Sequence, residues 1–256
     1  MSNALERVGP PALTFALAVA AWELSVRALA VPAFLIPPPS AVLQTSWAER
    51  ELLASSLFTT TLGAVSGFLL SLVFGSLAGL GLALSRRLER GLYPYTIFLQ
   101  TVPIVAIAPL LVLWFGAGLR AVAVSAFIVS VFPVVANSLS GLKSVDPRLY
   151  DMFRLYGAST WDTLVKLRVP SAIPSMTTGW RVASGLSVIG AIVGEFVAGF
   201  SEGRAGLGIT ILAAYRQLRT DLLFGALLLS SLLGLALFAL VSVAARALLR
   251  RLRAPG

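Results

Sequence analysis

Neither cysteine nor histidine occurs among the 256 residues of this chain. Their absence excludes disulfides, thiol catalysis and histidine-ligated metals. Charge is scarce as well. Charged residues make up 12% of the chain, about half the share of a soluble domain. The run Gly-x-x-x-x-Gly-Lys-Ser/Thr is missing, so the chain does not cradle ATP phosphates in that way itself. No paired carboxylates stand in the apolar segments, which leaves an intramembrane enzyme without chemistry. No metal ligand set is legible.

Apolar residues fill the space left by charge. They form 57% of the chain, and the mean hydropathy is +0.89. A bilayer span needs roughly 20 apolar residues. Six stretches qualify, at about 11–31, 56–84, 92–115, 121–142, 173–199 and 221–246. The expectation is an all-α membrane protein, one transmembrane domain over 1–256. The first stretch also resembles a signal peptide, with Arg7 before the apolar run and Ala18-Val19-Ala20 as a cleavage-like site. Its apolar character continues to about Ala30, which favours a retained span.

The formal net charge is +9, but its distribution argues for topology and against nucleic acid. With the N-terminus inside, the inner loops carry Arg7, Arg86, Arg87, Arg90, Lys143, Arg148, Arg154, Lys166, Arg168, Arg246, Arg250, Arg251 and Arg253. The outer loops carry Arg27, Arg50, Arg120, Arg204, Arg216 and Arg219. Basic residues concentrate on the cytoplasmic side of membrane proteins. Both termini and the loop at 143–172 are therefore expected in the cytoplasm of a multi-pass inner-membrane protein bathed in lipid.

Small residues recur every four positions in the second span, at Gly63, Gly67, Ser71, Gly75 and Gly79. Such a ridge lets backbones approach closely in lipid. It fits a partner helix in this chain or in a second copy. The fifth span repeats the ridge at Gly179, Ala183, Ser187, Ala191 and Gly199, and Glu195 falls on the same series. A carboxylate inside a span should face protein or water. Arg181, in the same span, is read as snorkelling to the cytoplasmic edge. Pro103, Pro109 and Pro133 should bend the third and fourth spans. With Gln100, Asn137 and Glu195, Pro103 makes a candidate lining of a path. Glu23 and Arg27 pair as i,i+4. Ser40, after Pro37-Pro38-Pro39, is expected to cap a short helix to about Leu53. The outer loop from Ser201 to Thr220 is either a partner contact or a re-entrant cap.

The polar loop from Lys143 to Pro174 is expected to fold as helix, glycine break, helix. Asp146-Pro147 starts the first helix, and Gly157 stops it. Ser159 or Thr160 starts the second, and Pro170 ends it. Leu149, Met152, Phe153 and Tyr156 share one face beside Asp151 and Arg154. An amphipathic knob of this kind fits a groove on another protein.

Asp151-Met152-Phe153-Arg154, with Gly157 and then Leu167-x-Val169-Pro170, resembles the signature loop of ABC-importer permeases. Asp151 stands for the usual glutamate, Met152 and Phe153 for two alanines, and Val169 for leucine. The stretches Thr101 to Pro109, Leu113 to Gly116, Gly141 to Pro147 and Ile189 to Glu195 resemble the nitrate/sulfonate/taurine branch. That branch also holds importers of thiamine-precursor pyrimidines and riboflavin, and Gly194-Glu195-Phe196 leans to that side. The resemblance implies a type I importer permease fold with six transmembrane helices and a cytoplasmic coupling helix. It implies a second permease copy, most simply a homodimer, two cytoplasmic subunits that bind the ATP, and an extracytoplasmic binding protein. The permease itself takes no cofactor. Asp151, Met152, Phe153, Arg154, Gly157 and Pro170 would make the ATPase-coupling site. A six-span secondary transporter driven through Glu195 is the alternative reading.

Overall fold

The computed structural model describes residues 2–198 and 205–253, and among them every regular element is helical. In chain order these are α1 (Ser2–Ala28), α2 (Pro39–Ala48), α3 (Arg50–Leu84), α4 (Arg86–Thr101), α5 (Ile104–Phe115) and α6 (Leu119–Lys143). Then follow α7 (Pro147–Leu155), α8 (Thr160–Asp162), a π-helical turn (Thr163–Arg168), α9 (Val169–Ala198), α10 (Leu207–Arg216) and α11 (Thr220–Arg253).

Four helical stretches are long and apolar enough to cross a membrane: Arg50–Leu84, Leu119–Lys143, Thr160–Ala198 and Thr220–Arg251. A fifth arises if α4 and α5 count as one broken span. The sixth expected span, α1, is a continuous helix of 27 residues with Leu13, Phe15, Leu17 and Leu24 exposed.

The core is built on α6, which α3 and α9 clasp from either side. Here the small-residue ridges find their partner within the chain. A Cβ added at Gly63 would lie 2.6 Å from a Val122 methyl, and one at Gly79 would lie 2.6 Å from Ser138 Cβ. From α9, one at Gly190 would lie 2.7 Å from Ala126 Cα, and one at Gly179 would lie 2.6 Å from the Pro133 carbonyl oxygen. Backbones this close gain van der Waals contact that larger side chains forbid. Ser71 and Ser130 share a hydrogen bond of 2.6 Å across the same seam. Gly199, the last member of the second ridge, lies outside the described residues.

Three local expectations are corrected. The third span is broken rather than bent: α4 and α5 meet at 99°. Pro103 sits at the N-cap of α5, and Val102 before it is extended at φ −68°, ψ 123°. Proline disfavours the α region for its predecessor, so the helix ends there. Pro109 and Pro133 lie inside unbroken helices. Second, Pro170 ends nothing. From Thr160 to Ala198 the helix is continuous for 39 residues. The π-helical turn just before Pro170 shifts the hydrogen-bond register where its missing N–H falls. Third, Ser40 does not cap α2, which starts at Pro39. Its N–H (3.0 Å) and hydroxyl (2.8 Å) donate instead to the Glu23 carboxylate, which also holds Arg27 at 2.6 Å.

Candidate coupling and translocation site

The loop between α6 and α9 is held by its own caps. Asp146 accepts from the Arg148 N–H at 2.9 Å, and Pro147 opens α7. At the other end, Gly157 has φ +71°. Its N–H donates to the Arg154 carbonyl at 3.1 Å, and the Ala158 N–H donates to the Phe153 carbonyl at 3.0 Å. That pair of bonds is a Schellman motif, which calls for a left-handed residue at this position. Ser159 then caps the next helix, accepting from the Asp162 N–H at 3.0 Å. Lys166 pairs with Asp162 at 2.5 Å.

Between these caps α7 presents an uncovered surface. Leu149, Tyr150, Met152, Leu155 and Tyr156 are exposed, the last two at 87% and 85%. Asp151 and Arg154 are exposed beside them, whereas Phe153 is half-buried. Pro170 lies apart from this knob, in the first turn of α9. Arg168 supplies a fixing point. Its Nε donates to the Leu142 carbonyl at 3.1 Å and one terminal nitrogen to the Ala83 carbonyl at 3.4 Å. These carbonyls belong to the last turns of α6 and α3, which lack intrahelical donors. One guanidinium thus ties the base of the loop to two core helices. The sequence marked Arg168 only as an inner-loop charge.

At the far end of α9, Glu195 is 2% exposed. One carboxylate oxygen accepts from Thr60 Oγ1 at 2.8 Å, and the other accepts from the Gly208 N–H at 2.7 Å. Thr60 Oγ1 accepts in turn from the Leu207 N–H at 2.8 Å. Ser56 and Thr210 share a hydrogen bond of 2.9 Å alongside. Glu195 therefore ties α9 to α3 and fills the N-terminus of α10. The unpaired N–H groups and the helix dipole both favour an anion there. Gly206 and Gly208 are glycine because the carboxylate occupies the room. A Cβ on Gly206 would fall within the carboxylate, and one on Gly208 would lie 2.9 Å from Glu195 Cβ.

Sequence reasoning named Glu195 and missed its partners. The signal was present: Ser56 and Thr60 stand seven and three residues before Gly63 on the same helix, and Gly206-x-Gly208 precedes an apolar helix.

A cavity of about 620 Å³ opens beside this knot. Phe58, Phe115, Arg120 and Glu195 are among its lining residues, with the glycines of the Gly116–Gly118 turn. Of the four residues suggested for a path, Glu195 alone lines it. Gln100 and Pro103 are exposed at the α4–α5 break. Asn137 packs against Gly179 and donates to the Pro133 carbonyl at 2.8 Å.

Residues 71–254 match the family model described as binding-protein-dependent transport system inner membrane component. The chain is 35% identical to the riboflavin transport system permease protein RibX of Chloroflexus aurantiacus, over 97% of this chain and 93% of that one. It is 34% identical to the formylaminopyrimidine transport permease protein ThiX of Halalkalibacterium halodurans, over 90% of this chain and 91% of that one. In fold it resembles the inward-facing MetNI methionine ABC transporter, with a TM-score of 0.66 at 18% identity over 81% of this chain and 99% of that chain. The broken span, the capped loop helix and the apolar bundle thus sit in a chain that belongs to the binding-protein-dependent transport system inner membrane components: it is a permease of an ABC importer and not an enzyme.

Proposed function

We propose that this permease imports a small planar nitrogen heterocycle of the pyrimidine or flavin type, and that α7 is the helix through which ATP hydrolysis drives it. The observation that carries the coupling role is α7 itself. Caps at both ends hold the helix rigidly while its apolar surface stays uncovered. Such a surface in a structured loop is a docking surface for a groove on another protein. Relatives that carry riboflavin and formylaminopyrimidine support the cargo class. So do Phe58 and Phe115 in the cavity, since aromatic faces suit a planar ring.

In this reading two copies pair in the lipid bilayer with both termini in the cytoplasm. Two ATP-binding subunits dock on the two α7 knobs, and a binding protein delivers cargo outside. Closure of the ATPases pulls on α7. Past the Gly157 turn the helix from Thr160 to Ala198 is continuous, so a pull passed through that turn reaches Glu195 without further interruption. Alternating access then follows as a rigid-body change.

The test is Gly157→Val. Nothing lies within 4 Å of an added Cβ, so space is not the obstacle. The strain is in the backbone, where a β-branched residue at φ +71° costs about 1–2 kcal/mol. The Schellman turn should open and misplace the knob. The expected result is a permease that inserts normally but retains little ATPase subunit on purification. Normal co-purification with normal uptake would remove α7 from the coupling role.

A second substitution probes the charge beside the knob. Asp151→Lys should impair cargo-stimulated ATP hydrolysis more than Asp151→Asn, because like charges across an interface repel. Equal rates for the two variants would make Asp151 a solubilising residue only.

A further inference from the structure

Arg181 stands well along α9 from the ends of α3 and α6. Arg168 marks where α3 and α6 end, through its bonds to Ala83 and Leu142. Arg181 lies thirteen residues further along a continuous helix, or about 20 Å at 1.5 Å per residue. Its neighbour Gly179 abuts Pro133, ten residues and about 15 Å from the end of α6. A hydrocarbon core is about 30 Å thick, so a bilayer centred on α6 would hold the Arg181 backbone near mid-depth. In that frame the Arg181 backbone lies deeper than the cytoplasmic edge from which snorkelling was expected.

A cation at this depth is costly and calls for a partner. Among the described residues none of the ion pairs includes Arg181, and its Nε is enclosed without an acceptor. Glu195 is fourteen residues away on the same helix, about 21 Å along the axis. The indole N–H of Trp180, at the same depth, also lacks an acceptor. Arg181 itself is half-buried. It stands between Thr178 and Gly185, at i, i+3 and i+7 of one face. Thr178 is exposed, and nothing lies within 4 Å of a Cβ added at Gly185. The Arg181 guanidinium, with an unspent Nε donor, therefore stands beside an open stretch of α9, whereas the Trp180 indole packs inward against Phe68, Val134 and Ala183.

We infer that Arg181 is a cargo-contact residue in the translocation path, reading two adjacent acceptor atoms with its guanidinium fork. The chemistry it takes is a paired acceptor edge: a ring carbonyl beside a ring nitrogen, or two oxygens of an oxyanion. Arginine is suited to both, because its planar donors meet such pairs two at a time and it keeps its charge when buried. The inference rests on the permease reading and adds the contact that cargo makes within the membrane.

The experiment uses the complete importer in proteoliposomes, with its ATPase and binding protein. Radiolabelled riboflavin tests the ring edge, and ethanesulfonate tests the oxyanion. Parent, Arg181→Lys and Arg181→Met are compared for uptake, for complex size and for melting temperature. Arg181→Met is expected to lower the maximal uptake rate of the transported probe about tenfold or more, as loss of charge-assisted hydrogen bonds requires. Arg181→Lys, which keeps the charge and loses the fork, should fall between. Complex size and melting should stay as in the parent.

Uptake by Arg181→Met within twofold of the parent overturns the inference and leaves the permease reading intact. A complex that falls to single copies in Arg181→Met also overturns it, in favour of a pair between copies. If the parent imports neither probe, the cargo class fails, and the paired-acceptor contact fails with it.

Discussion

Glu195→Leu is expected to leave the membrane with little assembled permease, whereas Glu195→Gln should assemble close to normally. Leucine offers no acceptor. It strands the Gly208 N–H and the Thr60 hydroxyl in a site that is 2% exposed. Each orphaned buried group costs about 1–3 kcal/mol. Two of them take a large share of a stability of about 5–15 kcal/mol. Removing the carboxylate also recovers the cost of having desolvated it, which opposes this loss. Shape decides the sign. Gly206 and Gly208 close directly on the carboxylate, and a branched apolar head there meets backbone rather than lipid. Glutamine keeps one acceptor for Gly208, and its amide donates to Thr60 Oγ1. Its cost is a single hydrogen bond, about 1 kcal/mol. Fluorescence-detected size exclusion and a melting curve read both variants. If Glu195→Leu assembles and transports like the parent, the knot at α10 does not hold the bundle. If glutamine assembles but transports with altered affinity or rate, Glu195 serves the path as well.

Gly67→Val is expected to be the most damaging change in the ridge of α3. A Cβ at Gly67 would collide with Ala126 Cβ and stand 2.6 Å from the Ala123 carbonyl oxygen and 2.8 Å from the Phe127 nitrogen. Backbone cannot rotate aside as a side chain does, so α3 and α6 must part along much of their seam. Overpacking a tight core costs about 1–3 kcal/mol, occasionally more. Here the seam also carries the Ser71–Ser130 bond. Gly81→Ala is the control on the same helix, because nothing lies within 4 Å of its added Cβ. Alanine there should raise stability by about 1 kcal/mol or leave it unchanged. A melting series in detergent compares the two. Equal melting temperatures would mean that the ridge of α3 is not a contact surface.

The family was legible through the resemblance of the loop from Asp151 to Pro170 and of other stretches to ABC-importer permeases, and the broad architecture was legible because it depends on composition and period. Apolar length marks a span, a four-residue repeat of small side chains marks a close seam, and Asp146-Pro147 with Gly157 marks a capped helix wherever they occur. What the residues left open were the pairings. The ridge at Gly63 to Gly79 fitted a second copy as well as α6, and only the packed bundle assigns it to α6. Glu195 announced a need for partners, but Thr60 lies 135 residues away and Gly208 in another helix. Pro103, Pro109 and Pro133 looked alike in sequence. They differ in outcome because Pro103 alone falls where α4 turns into α5, whereas the other two stay inside packed helices. Pro170 looked like a stop, but the register shift of the π-helical turn carries the helix through it.

The sequence by itself thus determined the solvent, the element types and the capped loop, since each follows from side chains within a few positions of one another. Tertiary structure alone decided which ridge meets which, where the Glu195 carboxylate is spent, and that Arg181 finds no ion-pair partner among the described residues. Those depend on contacts across long separations, where the geometry of three packed backbones, and not the preference of any one segment, sets the distance.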